Sequence, residues 1–143
     1  MITRSRNKVL VVEDNLLNME LVTDLLVANG HIVCQARTAE EGLRLAQETL
    51  PDIILMDLSL PGMDGLAATR ALRANPATGH LPVIALTAHA MKGDEESALN
   101  AGCDGYVAKP IDTRTFPAQV MNFIEAANSR RTQTQQPVRD HGN

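Results

Sequence analysis

Four apolar runs in this sequence each end at a polar residue, and this pattern constrains the fold more than any other feature. The runs and their endings are residues 9–12 before Glu13 and Asp14, residues 53–56 before Asp57, residues 83–86 before Thr87, and residues 106–108 before Lys109. If the runs are parallel strands of one sheet, their carboxyl ends lie along one edge, which is where open α/β sheets bind ligands. We therefore expect three carboxylates, a hydroxyl and an amine to meet at that edge.

Segments with the features of helices lie between the apolar runs. The first covers about residues 15–29 and stops at Gly30. Thr38 and Glu41 have the spacing of a capping box at the start of the second, and Asp64 is a suitable cap for the third. This alternation predicts an α/β fold of five βα units, with a parallel sheet covered by helices on both faces.

The remaining elements differ in how much apolar surface they offer. Residues 31–36 form a short and more polar strand, which suits the edge of a sheet. Residues 92–101 offer little apolar surface and several acids, so the fourth helix should pack lightly. The fifth helix should begin near Thr115, because Pro117 is tolerated only in the first turn. Its continuous apolar stripe predicts firm docking and comprises Phe116, Val120, Phe123, Ile124 and Ala127.

Length and composition indicate one folded domain. A chain of 143 residues with 44% apolar residues can bury a substantial core. We place the domain at residues 8–128, after a short N-terminal lead of residues 1–7. Residues 129–143 are polar and without periodicity, so we expect a disordered C-terminal tail.

Charge and hydropathy disfavour two classes of partner. A net charge of −4 without a block of Lys and Arg gives no general attraction to nucleic acid or anionic lipid. No stretch approaches the roughly 18 apolar residues of a membrane span, and the first residues lack the apolar segment of a secretory signal. We therefore expect a cytoplasmic protein that neither binds nucleic acid directly nor inserts into a membrane.

The predicted edge has the composition of a phosphoryl-transfer site. Glu13, Asp14 and Asp57 would repel one another, and a divalent metal relieves that repulsion at neutral pH. Mg²⁺ is usually held by one or two carboxylates, waters and a phosphate oxygen, so the site favours a phosphate. Asp57 is then the nucleophile, Asp14 and Glu13 hold the metal, Thr87 donates a hydrogen bond to a phosphoryl oxygen, and Lys109 neutralises charge.

At these residues the sequence resembles the response-regulator receiver family of two-component signalling. The resemblance covers about residues 7–127 and is carried by residues 8–15 (KVLVVEDN), 51–65 (PDIILMDLSLPGMDG), 81–88 (LPVIALTA) and 105–110 (GYVAKP). It implies a flavodoxin-like (βα)5 three-layer sandwich with a central parallel sheet in the strand order 2-1-3-4-5. It also implies a cis peptide bond between Lys109 and Pro110.

The resemblance implies roles for the residues at the sheet edge. Asp57 accepts a phosphoryl group from the phosphohistidine of a histidine kinase or phosphotransfer protein, and Lys109 bonds that group. Mg²⁺ is held by Glu13, Asp14, Asp57 and the main-chain carbonyl of Ser59. By this resemblance the protein is not an enzyme in the ordinary sense, because it catalyses only its own phosphorylation and dephosphorylation.

The resemblance also implies a switch and a partner surface. Thr87 moves toward the phosphate, Tyr106 swings inward, and the face made by the fourth helix, fifth strand and fifth helix changes shape. That face would control a downstream protein target. We expect a monomer or a weak dimer.

Several alternatives remain open. Glu13, Asp14 and Asn15, with residues 90–96, are most similar to single-domain cell-cycle regulators, but receivers fused to hybrid histidine kinases share these stretches. A phosphoryl shuttle in a multistep relay also fits the residues. An aspartate-nucleophile phosphohydrolase should have a second Asp where Ser59 stands, and a flavodoxin-like cofactor carrier should have a phosphate-cradling loop after the first strand. Asp14 could alternatively cap the first helix.

Overall fold

The computed structural model describes residues 7–60, 62–88 and 92–135. Ten elements alternate along the described chain. They are β1 (Lys8–Val12), α1 (Leu16–Ala28), β2 (Ile32–Ala36), α2 (Ala39–Thr49), β3 (Ile53–Asp57), α3 (Gly65–Ala74), β4 (Val83–Thr87), α4 (Lys92–Ala101), β5 (Gly105–Ala108) and α5 (Phe116–Gln135). The strands form one sheet in the order β2-β1-β3-β4-β5, and every neighbouring pair is parallel. The predicted flavodoxin-like (βα)5 fold and its strand order are confirmed.

The helices cover both faces of the sheet because alternate residues of each strand point to opposite faces. On one face, Leu10, Val12, Ile54 and Met56 belong to an apolar cluster with residues of α2, α3 and α4. On the other face, the cluster combines β-strand residues with the apolar sides of α1 and α5. The central strands are therefore buried on both faces, as parallel sheets require.

The edge strand β2 is more exposed than the central strands. Its burial runs from exposed at Ile32 to buried at Ala36, whereas every residue of β3 and β4 is buried. This difference agrees with the more polar sequence of residues 31–36. The fold therefore places the sequence's most apolar runs at the centre of the sheet.

Side chains cap three of the helices where the sequence turns from strand to helix. Asn15, rather than Asp14, caps α1 by accepting a hydrogen bond from the Asn18 amide. Asp64 caps α3 as expected. Thr38 caps α2 by accepting from the Glu41 amide, but the Glu41 carboxylate accepts from the Arg37 amide, one residue before the cap. The alternative in which Asp14 caps α1 is therefore wrong.

The last helix is longer than the sequence predicted. It begins at Phe116, with Pro117 in its first turn as expected, and continues to Gln135. The predicted tail begins at residue 129, whereas the helix continues through residues 129–135. Because each further residue adds one backbone hydrogen bond to an existing helix, a helix can continue past the end of its packed stripe. The described helices include none that is long and apolar enough to cross a membrane.

The ends of the chain and two short internal stretches lie outside the described residues. These are the lead of residues 1–6, residue 61, residues 89–91 and the tail residues 136–143. Part of the stretch that resembles single-domain regulators, residues 90 and 91, is therefore among them. The Lys109–Pro110 peptide bond is cis, as the resemblance implied.

The fourth helix is lightly packed but anchored at its C-terminal end. Among its residues 95–101, Ala98 and Ala101 are the buried ones. The Arg73 guanidinium of α3 donates to the Gly102 carbonyl from Nε at 2.9 Å and from Nη2 at 2.7 Å, and to Asp104 Oδ2 at 2.9 Å. It also donates to the Gly79 and Leu81 carbonyls. Arg73 thus ties the end of α4 to the body of the domain.

His31 lies buried beside β2 with neither ring nitrogen hydrogen-bonded. Burial lowers the pKa of His31 from its ordinary value of 6.5, although the nearby charge of Asp52 acts in the opposite direction. The unfolded chain therefore takes up a proton more readily than the folded protein below pH 6.5. Stability that is complete above the ordinary pKa must be lost as the pH falls.

We expect His31→Phe to lose less stability than the wild type when the pH falls from above to below 6.5. Urea unfolding at a series of pH values measures this difference. His80→Phe, a change at an exposed histidine, is the control and should follow the wild type. Equal pH dependence in wild type and His31→Phe would contradict the role of the buried ring.

Candidate functional site

Parallel strand register brings the polar endings to one edge of the sheet. Val12, just before Glu13, pairs with Met56, just before Asp57. Asp57 pairs with Leu86, just before Thr87. Thr87 pairs with Ala108, and the Lys109 amide continues the ladder by donating to the Thr87 carbonyl at 2.7 Å.

Three carboxylates converge at this edge. Glu13, Asp14 and Asp57 each offer a carboxylate oxygen, and these oxygens lie within 4.8 Å of one another. Glu13 and Asp57 are each only 1% exposed, and Asp14 is the most exposed of the three. The structure therefore brings together the three acidic residues that were predicted to meet at this edge.

Lys109 lies between the two buried carboxylates. Its Nζ donates a hydrogen bond to Asp57 Oδ2 at 3.0 Å and lies 3.1 Å from Glu13 Oε1. Burial alone would lower the pKa of Lys109, but the hydrogen bond with Asp57 and the negative charges of Asp57 and Glu13 outweigh burial and raise it. Lys109 is therefore held as a cation between its partners.

Glu13 lacks full compensation for its burial. Its Oε2 accepts a hydrogen bond from the Asn15 amide at 3.1 Å, whereas Oε1, despite its ion pair with Lys109, has no partner in hydrogen-bond geometry. Burial, and then the adjoining Asp57, raise the pKa of Glu13 against the opposing effects of Asn15 and Lys109. An additional cation beside these oxygens would offset both the burial of the Glu13 carboxylate and its repulsion by Asp57.

The Asp57 carboxylate is oriented from both sides. Asp57 Oδ1 accepts a hydrogen bond from the Ser59 amide at 2.9 Å, while Oδ2 accepts from Lys109. Ser59 itself is exposed and lies in the loop that follows β3. Ser59 is thereby placed beside the cluster through its backbone.

Thr87 and Tyr106 occupy neighbouring strands. Thr87 is the last residue of β4 and is buried, so it adjoins the carboxylates at the sheet edge. Tyr106 is the second residue of β5, pairs with Ala85, and is half-buried against the cluster that contains α4. The two residues that the resemblance assigned to a switch therefore lie between the carboxylates and the fourth helix.

The Tyr106 hydroxyl is engaged with the fourth helix. Its hydrogen bond with the Glu95 carboxylate, followed by burial and the Glu95 charge, raises the pKa of Tyr106. Sequence reasoning noted the acids of this helix but gave none of them a partner. No spacing rule could have found the contact, because Glu95 and Tyr106 lie on different elements.

Comparisons with known proteins identify the class to which this fold and site belong. The family model described as response regulator receiver domain matches residues 9–121. The chain therefore belongs to the response-regulator receiver family, a class of two-component signalling domains.

Among individual proteins, two DivK response regulators are similar in sequence to this chain. The polar-differentiation response regulator DivK of Brucella ovis is 45% identical over 116 residues, which cover 81% of this chain and 94% of DivK. DivK of Brucella anthropi matches with the same identity and coverage. The predicted similarity to DivK-like response regulators is confirmed.

Solved structures of receiver domains also resemble this chain. The receiver domain of a sensor histidine kinase from Pseudomonas aeruginosa, solved with magnesium in its active-site cleft, has a TM-score of 0.78 and 36% identity. The match covers 85% of this chain and 99% of that one. A CheY-like receiver from Methanospirillum hungatei has a TM-score of 0.80 at 25% identity, covering 88% of this chain and 99% of that one.

The contact between Tyr106 and Glu95 is open to direct titration, because Tyr106 is the single tyrosine and the chain has no tryptophan. We expect Tyr106 to ionise above its ordinary pKa of 10.0, and Glu95→Ala to lower that pKa toward it. Ultraviolet absorbance of tyrosinate measures both values. The exposed neighbour provides the control, Glu96→Ala, which should leave the titration unchanged. An identical response to the two substitutions would refute the contact.

Proposed function

We propose that Asp57 is the phosphoryl acceptor of a single-domain response regulator that receives its phosphate from a histidine kinase or phosphotransfer protein. The observation that carries the proposal is the position of its carboxylate. Asp57 is buried at the end of a central strand, with one oxygen bonded to the Ser59 amide and the other to Lys109.

The transfer requires no general base. An ionised Asp57 oxygen attacks phosphorus, and a new P–O bond forms while the bond from phosphorus to the donor breaks. For a phosphohistidine donor the leaving imidazole nitrogen takes the electron pair, and for an acyl phosphate the leaving carboxylate oxygen takes it. Positioning and charge neutralisation are then the main contributions of the protein.

Lys109 supplies the positive charge of the chain at this site. Its Nζ is within 3.1 Å of both buried carboxylates, and its pKa is raised, so it stays protonated. Because Lys109 is already hydrogen-bonded to Asp57, it can also neutralise the negative charge of the incoming phosphoryl oxygens. Thr87, at the end of the adjacent strand, is the proposed hydrogen-bond donor to another of these oxygens.

The carboxylates fit a divalent metal. Glu13 Oε1 is buried without a hydrogen bond, and the pKa of Glu13 is raised mainly by burial. Hard cations such as Mg²⁺ take oxygen ligands, and the proposed set is Glu13, Asp14, Asp57 and the Ser59 carbonyl. When bound, Mg²⁺ neutralises negative charge on the phosphoryl group.

The proposed output begins at the switch pair. Thr87 moves toward the added phosphate, and Tyr106 leaves Glu95 and swings inward. Because few side chains among residues 95–101 of α4 are buried, the packing of this helix can change at a modest free-energy cost. The surface formed by α4, β5 and α5 then presents a different shape to a downstream protein.

The donor protein is proposed to approach over the start of α1. Leu16 and Leu17 follow the cap residue Asn15 and are 62% and 76% exposed. Two adjacent exposed leucines beside the carboxylates offer apolar contact area at the place a donor must reach. The same approach would serve a relay in which the phosphoryl group is passed on.

The single-domain role is favoured over a receiver acting within a hybrid kinase by the comparisons. DivK, matched over 94% of its own length, is more similar in sequence than the kinase receiver at 36% identity. Phosphohydrolase activity is disfavoured because Ser59 stands where a second catalytic Asp is expected. Phosphotransfer from purified kinases distinguishes the two signalling roles.

We expect the wild type to gain one acid-labile phosphoryl group from acetyl phosphate in the presence of Mg²⁺, and to gain none when the metal is chelated. Asp57→Asn should abolish the modification, because an amide is not a nucleophile toward phosphorus. Intact-mass spectrometry measures the added group.

Asp24→Asn is the matched control, because it makes the same chemical change on the exposed surface of α1. This variant should be modified like the wild type. An unmodified wild type that binds Mg²⁺, or an Asp57→Asn variant that still gains phosphate, would rule out the proposed mechanism.

A further inference from the structure

The first turn of α3 packs directly against the backbone of the acceptor residue. Gly65 begins α3 and is buried. A Cβ atom on Gly65 would overlap the Asp57 carbonyl oxygen, and it would lie 2.9 Å from Leu58 Cα and 3.0 Å from Leu58 Cδ2. Two of these three atoms are backbone, so a rotamer change cannot make room for the Cβ.

Gly65 is required here by space and not by backbone conformation. Among the described residues, the glycines with positive φ are Gly30, Gly62 and Gly102. Gly65 has no such angle, and alanine could adopt its conformation. The cost of a side chain at this position is therefore the displacement of its neighbours.

The helix cannot withdraw easily from the acceptor. The Asp64 carboxylate accepts from the Ala67 amide at 2.8 Å, and the Thr69 hydroxyl donates to the Gly65 carbonyl at 2.8 Å. Ala68 and Leu72 hold the following turns in the apolar cluster of that face. The two hydrogen bonds stiffen the first turn of α3, and the buried side of the helix holds that turn against the sheet.

The acceptor backbone is also held from the other side. The Leu58 amide donates to the Leu86 carbonyl of β4 at 3.0 Å. Asp57 and Leu58 therefore lie between β4 and α3, and a group added at Gly65 must push the acceptor backbone out of position. The two hydrogen bonds that orient the Asp57 carboxylate depend on that position.

We propose that Gly65 is a positioning residue for phosphoryl transfer, which sets the place of the Asp57 carboxylate through the close approach of α3 to the Asp57 and Leu58 backbone. This inference rests on the proposed acceptor role of Asp57. A misplacement of about 1 Å in a reacting group can cost on the order of a hundredfold in rate. Gly65→Ala should displace the carboxylate and the adjoining Ser59 backbone together.

The test compares Gly65→Ala with the wild type in two measurements. We expect the maximal rate of phosphorylation by acetyl phosphate at saturating Mg²⁺ to fall by about tenfold to a hundredfold. We also expect Mg²⁺ alone to bind more weakly in calorimetric titration. Circular dichroism and urea unfolding establish that the variant is folded under the assay conditions.

Gly102→Ala provides a control for general destabilisation. Gly102 has a φ of +110°, and a Cβ would lie 2.8 Å from Arg73 Cγ, so this variant is also strained. Gly102 follows α4 and lies near the amino end of β4, as the hydrogen bond from the nearby Asp104 amide to the Val83 carbonyl shows. The carboxylates lie at the opposite, carboxyl end of the strands. The phosphorylation rate and Mg²⁺ affinity of Gly102→Ala should equal those of the wild type.

A double variant separates the backbone contacts from the side-chain contact. Leu58→Ala removes the Cδ2 atom, so Gly65→Ala with Leu58→Ala relieves one of the three contacts and also serves if the single variant does not fold. The double variant should remain slow, because both backbone contacts of the added Cβ persist. Wild-type rate and Mg²⁺ affinity in either folded variant that carries Gly65→Ala would overturn the inference, whereas failure of the wild type itself would overturn the acceptor role.

Discussion

The ion pairs of Lys109 with Glu13 and Asp57 are the interaction on which the site depends. Two carboxylates that are each 1% exposed need a neighbouring cation, because burying an uncompensated charge is costly. Lys109 supplies one positive charge at 3.0 and 3.1 Å, which leaves the three acids of the edge with excess negative charge. That excess makes the site suited to a metal ion.

The same ion pairs explain how the fold can bury two acidic residues side by side. Breaking a buried ion pair by removing one partner typically costs about 3–5 kcal/mol, because the other charge is left uncompensated. The parallel strands hold the partners at fixed separations. Glu13 and Asp57 stand at the ends of β1 and β3, which pair on both sides, and Lys109 follows β5, which pairs with β4. The sheet therefore supplies the rigidity, and the loops after its strands supply the chemistry.

Communication from the site depends on the contrast between anchored and lightly held parts. Arg73 fixes the C-terminal end of α4 through the Gly102 carbonyl and Asp104. Closer to the start of α4, the Glu95 carboxylate meets the Tyr106 hydroxyl of β5. In the proposed switch, a change at Thr87 shifts the start of α4 while its end stays in place.

The sequence predicted those features that follow from periodicity and strand direction. Parallel strands had to bring Glu13, Asp57, Thr87 and Lys109 to one edge, and they do. The exact cap of α1 at Asn15 and the continuation of α5 to Gln135 were not predicted, because helix ends depend on small free-energy differences.

Contacts between distant elements were also beyond the sequence. The hydrogen bond of Tyr106 with Glu95 and the approach of Gly65 to the Asp57 carbonyl join residues of different elements. They arise from the way helices settle on the sheet, which no local pattern encodes. The left-handed conformation of Leu50, with φ of 46°, was likewise unmarked in the sequence.

A crystal structure of the protein with Mg²⁺ and beryllium trifluoride, a mimic of the phosphoryl group, tests the central claim most directly. We predict that beryllium trifluoride binds Asp57 and is contacted by Lys109 and Thr87, with the metal on Glu13, Asp14, Asp57 and the Ser59 carbonyl. We also predict that Tyr106 has left Glu95. An adduct on another carboxylate, or a metal that bypasses Glu13 and Asp14, would contradict the account.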